Sequence, residues 1–191
     1  MRCLMCESLS LKHICKSCQK LHLTPSLYKH YLDDGTLVLS FYKYSDIKTL
    51  LHTKHTDIGF YIYKILAQNS IAIFAKNFSM DENVISVGVD DDPKDGYSHT
   101  AILSKSLHSS RIKPIHNKLI ARNTLSYSGK SKAYRLSNPR NFQLKSFKET
   151  NVIVVDDIIT TGSTLLEAVK KLKEANKEII CCLTLCDVSQ K

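Results

Sequence analysis

Two aspartates, Asp156 and Asp157, stand side by side at the end of the apolar run Val152–Val155 and ahead of Ile158 and Ile159. Thr160, Thr161, Gly162, Ser163 and Thr164 follow at once, and then the helix-like pattern STLLEAVKKLKEA. A buried strand would deliver such a pair to the carboxyl edge of a sheet, where like charges repel unless cationic or hydroxylic groups face them. The vicinal hydroxyls of a ribose meet that need, each donating a charge-assisted hydrogen bond, with a magnesium ion relieving the remaining charge. The turn that follows has the opposite character. Its hydroxyls and the unpaired N–H groups of a helix N-terminus suit a phosphate, and Gly162 lets the backbone close around it. Acids for a sugar and a nest for a phosphate, adjacent in the chain, describe a site for a ribose 5-phosphate. An ordinary strand–turn–helix with one capping Ser or Thr accounts for neither the run of hydroxyls nor the two aspartates.

A second constellation lies at the N-terminus, where Cys3-x2-Cys6 and Cys15-x2-Cys18 are two turns of the same spacing. Each holds two thiolates to one side of a metal, and together they complete a tetrahedron suited to Zn²⁺, with no open position for water and hence a structural role. A redox Cys-x-x-Cys occurs singly, at a strand-to-helix turn. His13, beside the second pair, reads as a surface residue. Cys181, Cys182 and Cys186 lie in an apolar run and read as buried core thiols.

With 191 residues, 43% of them apolar, the chain can bury one core with a small appendage. The N-terminus lacks the apolar stretch of a signal peptide, and no apolar run approaches the roughly 20 residues of a membrane span. The expected location is the cytosol, where seven cysteines point to metal or buried thiols instead of disulfides. The formal charge of +9 is concentrated. Lys105–Lys148 holds eleven Lys and Arg and no Asp or Glu, so the rest of the chain is close to neutral. A solvated face normally mixes signs; a stretch without acid suggests a polyanionic partner.

The elements that must position these groups alternate. TLVLSFYKY (36–44), NVISVGVDDD (83–92, a strand ending in an acidic loop), VIVVDD (152–157) and EIICCLTLCDV (178–188) read as strands. SDIKTLLHTKH, TDIGFYIYKILAQ, SHTAILSKSLHS and the stretch from Ser163 read as helices, with Ile58, Ile62, Ile65 and Leu66 on one inner face and Leu165, Leu166, Val169 and Leu172 on another. IAIFA (71–75) fits a short strand or a helix end. Continuously apolar strands between helices imply a parallel sheet covered on both faces, an α/β fold.

Here the residues resemble a known family. VIVVDDIITTGST (152–164) matches at every position the phosphoribosyl-pyrophosphate (PRPP) motif of type I phosphoribosyltransferases. A four-cysteine module followed by such a domain resembles the ComF (ComFC) competence protein family. YKYSDIKTLLHTKHTD (42–57) is similar to that family's strand, helix and Lys-x-x-Gly-Asp segment, with Thr56 in place of the Gly. YRLSNPRNFQL (134–144) is similar to another of its stretches, with Arg135, Asn138 and Phe142 in register. One departure stands out: Asp95-Gly96-Tyr97-Ser98-His99 occupies the place of an Arg-Gly-Phe-Asn-Gln sequence, after the acidic loop DDDPKD. Such a loop repels pyrophosphate unless Mg²⁺ or Lys94 intervenes.

The resemblance implies a small zinc-binding module of four cysteines at 1–23 and a Rossmann-like phosphoribosyltransferase-like domain at 24–191. It implies a role in natural transformation, handling incoming single-stranded DNA in the cytosol, with other DNA-uptake machinery such as a helicase as partner at the inner face of the membrane. PRPP and Mg²⁺ would sit on Asp156, Asp157, Thr160, Thr161, Gly162, Ser163 and Thr164, the two acids being catalytic if the site turns over. The alternative reading is a working Mg²⁺-dependent phosphoribosyltransferase acting on a nucleobase or amine. In type I enzymes a flexible loop brings cations to the pyrophosphate, and Arg122, Lys130, Lys132, Arg135 and Arg140 fall in the corresponding place. The remaining cations suit a longer polyanion, with Tyr127, Tyr134, Phe142 and Phe147 either stacking on bases or belonging to the core.

Overall fold

The apolar runs pair into one sheet. The computed structural model describes residues 1–90, 92–93, 96–123 and 131–189, apart from the side chains of Lys132 and Leu136. In chain order the elements are α1 (Lys16–His22), β1 (Tyr28–Tyr31), β2 (Leu37–Lys43), α2 (Tyr44–Leu51), a 3-10 turn (His52–His55), α3 (Asp57–Asn69), α4 (Ile71–Asn77), β3 (Val84–Val89), α5 (His99–Lys105), β4 (Ile112–Ala121), α6 (Lys132–Ser137), β5 (Phe142–Leu144), β6 (Asn151–Val155), β7 (Ile158–Ile159), α7 (Ser163–Glu174) and β8 (Glu178–Asp187). The sheet order is β1-β2-β8-β6-β3-β4-β5, with the short β7 also on β8. The five inner strands are parallel. Both edges are antiparallel, β1 on β2 and β5 on β4.

Alternate residues of the same strands feed two separate cores. Leu39, Phe41, Ile153, Val155, Leu183 and Leu185 face α2, α3 and α4, whereas Val38, Val87, Val152, Val154 and Cys182 face α7. That two-sided burial is why these strands are apolar at most positions, with a few buried polar residues such as Ser40 and Thr184, which bond each other at 2.7 Å. On α7, Leu165, Val169 and Leu172 are buried at helical spacing and contribute about 1.5–3 kcal/mol each.

The helix α3 departs from its expected face in the first turn. Gly59 is the buried residue there, against the 3-10 turn, and Ile58 is 40% exposed beside Phe60 and Tyr61. IAIFA is helical, forming most of α4. Asp57–Asn77 is long and apolar enough for a span by length and composition, but it is interrupted at Ser70, whose φ of −130° and ψ of −79° separate α3 from α4. Half of it is buried within the protein.

From β3 the chain crosses through α5 to β4 on one side. From β6 it crosses through α7 to β8 on the other. The crossovers diverge between neighbouring strands β3 and β6, the topological switch point at whose carboxyl ends open α/β sheets form their binding crevice.

Candidate functional site

Asp156 and Asp157 occupy that crevice, immediately beyond β6. The backbone holds them in register with β8: the Asp156 N–H donates to Leu183 O at 3.0 Å, and Asp157 O accepts from the Leu185 N–H at 3.0 Å. Their side chains take different directions. Asp157 is 4% exposed and turns into the protein. Its Oδ2 accepts from the Tyr63 hydroxyl at 3.0 Å and from Lys54 Nζ at 3.2 Å, with His99 Nε2 at 3.8 Å. Asp156 is partly exposed, and its Oδ1 accepts the Asp157 N–H at 2.8 Å.

The charges follow this division. Burial would raise Asp157, but His99, Lys54 and the Tyr63 hydroxyl overcome it and hold the carboxyl well below the usual carboxylate range. Burial lowers His99, which is therefore neutral at pH 7, so Lys54 and Tyr63 carry the effect there. Lys54 is itself raised by the Asp157 charge. Asp156 goes the other way. Dense surrounding protein and the neighbouring Asp157 charge push it well above its ordinary value, even though part of its surface meets water. One member of the pair is fixed as an anion and the other is held ready to carry a proton.

Beyond β7 the chain turns sharply into α7. Gly162 has φ of +73°, and a Cβ there would come within 2.9 Å of Leu32 Cδ2 in the β1–β2 hairpin, so both conformation and space favour glycine. As the N-cap, Gly162 leaves the first N–H groups of α7 without a side-chain acceptor, and no acidic residue stands in the first turn. Thr161 and Ser163 share a hydroxyl–hydroxyl bond of 3.0 Å. The Arg135 guanidinium donates to the Thr160 hydroxyl, which brings a cation to the rim. A twelve-residue helix whose amino end offers free donors, hydroxyls and an arginine is suited to an anion.

The other expected cations divide. Arg140 engages Glu167 through its backbone N–H at 2.9 Å, and its charge lies near enough to oppose that of Lys54. Arg122 is exposed at the end of β4, on a groove of about 840 Å³ between β5 and α7 that Lys170 and Lys171 also line. Lys130 lies outside the described residues, as do Tyr127, Lys94 and Asp95; Lys132 begins α6. The acid-free segment is not one loop, because β4, α6 and β5 are cut from it. Phe142 is core at 5% exposure, and Phe147 packs beneath Lys177 Nζ, 4.3 Å from its ring centre.

Lys54, Tyr63 and His99 were not singled out by the sequence. Tyr63 looked like one more residue of an apolar helix. His99 carried a signal, since it stands at the position where the family pattern has Gln.

At the N-terminus, the sulfurs of Cys3, Cys6, Cys15 and Cys18 all lie within 4.8 Å of one another. Tetrahedral Zn–S bonds of about 2.3 Å place sulfurs just under 4 Å apart, so the four fit a zinc ion. Backbone N–H groups already point at them, from Cys15 and Met5 to Cys3 Sγ at 3.3 and 3.5 Å and from Cys18 to Cys15 Sγ at 3.4 Å. The Cys15 N–H is the main cause that lowers the Cys3 thiol to about 6. The module is sewn to the main core by Ile14 and Leu23, both fully buried in the cluster that holds α3. His13 stacks on Tyr61 with ring centres 4.4 Å apart.

Residues 97–191 match the family model described as the phosphoribosyl transferase domain, a stretch that includes the acid pair, the 160–164 turn and β8. This part of the chain is phosphoribosyltransferase-like. No curated protein is significantly similar to the chain. Among solved structures, an adenine phosphoribosyltransferase is 14% identical, covering 89% of this chain and 88% of that one at a TM-score of 0.44. The Saccharomyces cerevisiae adenine phosphoribosyltransferase is 16% identical over 90% and 88%, at 0.43. The Aeropyrum pernix orotate phosphoribosyltransferase is 18% identical over 90% and 80%, at 0.40.

Proposed function

We propose that this chain binds Mg²⁺–PRPP, or a closely related phosphorylated ribose, at the tip of β6, and that it serves natural transformation by handling single-stranded DNA through this domain. The observation that carries the binding reading is the adjacency of the acid pair to an uncapped helix amino end, within a stretch matching the phosphoribosyl transferase domain. The 160–164 turn would take the 5-phosphate, with Arg135 at its rim. Asp156, partly open to the crevice, would accept from the ribose hydroxyls. Asp157 would hold the neighbouring turn and set the field. Magnesium arriving on the pyrophosphate would favour the ionised form of Asp156.

Support for the DNA role is the acid-free stretch and its exposed cations Arg111, Lys113, Arg122, Lys145 and Lys148, which lie along β4 and β5 or just beyond their ends. Calorimetry with Mg²⁺–PRPP followed by an oligonucleotide tests both claims. Two saturable events are expected, the second weakening steeply with salt. An Asp156→Ala/Asp157→Ala variant that stays folded and binds PRPP normally would sink the site. An oligonucleotide that fails to bind at low salt would sink the DNA role.

A second reading, phosphoribosyl transfer to a nucleobase or amine, is favoured by the match across the whole 152–164 motif. Displacement at the sugar carbon would release pyrophosphate. A broad panel of acceptors with no pyrophosphate release, PRPP binding being intact, would leave a site that binds without turnover.

A further inference from the structure

The ammonium of Lys54 lies between a buried anion and open solvent. Its Nζ is 3.2 Å from Asp157 Oδ2, yet 32% of the side chain remains exposed. The backbone beneath it is fixed. Lys54 O accepts from the Tyr97 hydroxyl at 2.7 Å, and the preceding Thr53 hydroxyl donates to Leu50 O at 2.6 Å. The side chain can therefore swing while the 3-10 turn stays still. Nor does Asp157 depend on Lys54 alone, because the same Oδ2 accepts from Tyr63 at 3.0 Å. The loop after β3 carries Asp90 and Asp92; the Asp90 carboxylate accepts the Ala121 N–H at 3.0 Å, and its charge reaches His99, the neighbour of Asp157.

Resting on the reading that the β6 tip holds a phosphorylated ribose, we propose that Lys54 is a movable counter-ion that selects ligands carrying a pyrophosphate. Without ligand it neutralises Asp157. A divalent cation arriving with the ligand takes over the neutralisation of the acid pair, and the ammonium turns to the pyrophosphate. A ribose bearing only a 5-phosphate gives the ammonium nothing to turn to, and it stays on Asp157. Lys54 thus supplies the cation that the acidic loop withholds.

The test uses the full chain and the variant Lys54→Gln, which keeps a polar side chain, one atom shorter, and removes the charge. Calorimetric titration compares Mg²⁺–PRPP with ribose 5-phosphate. Loss of one charge-assisted contact should weaken PRPP about tenfold or more while leaving ribose 5-phosphate within about twofold. Lys54→Arg, which keeps both charge and hydrogen bond, should retain the preference and guards against a folding artefact. Equal weakening of both ligands would overturn the proposal, because Lys54 would then act only by holding Asp157 in place. No weakening of either would overturn it too. A wild-type protein that binds neither ligand would refute the site itself, and binding of both with no effect of Lys54→Gln would refute only the counter-ion.

Discussion

Gly59→Ala tests whether the turn that carries Lys54 is held as tightly as the packing says. Gly59 is the third residue of α3 and has no left-handed backbone to protect. On helix propensity alone, alanine would add about 1 kcal/mol of stability. The space is the difficulty. A Cβ at this position would overlap Thr53 O and the Tyr97 hydroxyl and stand 2.8 Å from the Thr53 carbonyl carbon. Neither neighbour is idle. Thr53 O accepts the Thr56 N–H at 2.9 Å and the Thr56 hydroxyl at 2.8 Å, and the Tyr97 hydroxyl donates to Lys54 O at 2.7 Å. Overpacking costs about 1–3 kcal/mol and a lost hydrogen bond about 0.5–1.5 kcal/mol. Against the propensity gain, the net loss is about 1–3 kcal/mol, a fall in melting temperature of a few to about 10 °C for a chain of this size. Circular dichroism melts read it directly. Mg²⁺–PRPP affinity should fall with it, because the displaced turn carries Lys54. Adding Tyr97→Phe removes one overlap but not the one with Thr53, so the double variant should recover part of the loss. A Gly59→Ala protein that melts at or above the wild-type temperature would refute the reasoning.

Thiol titration should divide the seven cysteines. The zinc-loaded protein should react little, chelation should expose the Cys3, Cys6, Cys15 and Cys18 set, and Cys181, Cys182 and Cys186 should wait for denaturant, since burial raises all three and holds Cys181 at about 12. Binding of Mg²⁺–PRPP should release protons and tighten as pH rises through the raised pKa of Asp156, because below it the carboxyl is neutral and favours neither metal nor hydroxyl donors. Calorimetry in buffers of differing ionisation enthalpy measures the release, and Asp156→Asn should abolish it. Asp157→Asn should cost about 1–3 kcal/mol at neutral pH, discounted for the partial exposure of Lys54. Because the Asp157 pKa is depressed, that contribution is present above the ordinary carboxylate value of about 4, so urea melts of wild type and variant should converge as pH falls below it.

The inner strands were legible because two-sided burial leaves an unbroken apolar run, as in Val152–Val155, all of them 0% exposed. Two strands nearer the ends of the sheet were not: the edge strand β1 is YKHY, and β4, one in from the other edge, is IKPIHNKLIA, whose exposed polar residues erase the pattern. Five residues of IAIFA are too few to reveal a period, though Ile71 and Ala75 are buried one helical turn apart. At the site, the motif located the acids and the turn because they are contiguous. What faces the acids is far away in the chain: Lys54 and Tyr63 lie 103 and 94 residues from Asp157. Charge counting likewise registers an excess of cations without showing which are spent internally, as Arg135 is on Thr160 and Lys118 on Ser146 O at 3.0 Å.

Two adjacent acids at a strand tip look redundant until their surroundings are compared. In a strand successive side chains point to opposite sides, so neighbours at the tip meet different environments. Asp157 meets Tyr63 and Lys54, and Asp156 meets the crevice. The inward acid is ionised because it is partnered, and its charge is one of the two causes that lift the outward acid toward a protonated state. The pair therefore works as a structural anion next to a titratable one. Removing the first should disturb the fold around the 3-10 turn and, by removing its charge, lower the pKa of the second. Removing the second should weaken the ligand and leave the turn alone. Two acids both facing a sugar would instead lose ligand affinity alike and stability hardly at all.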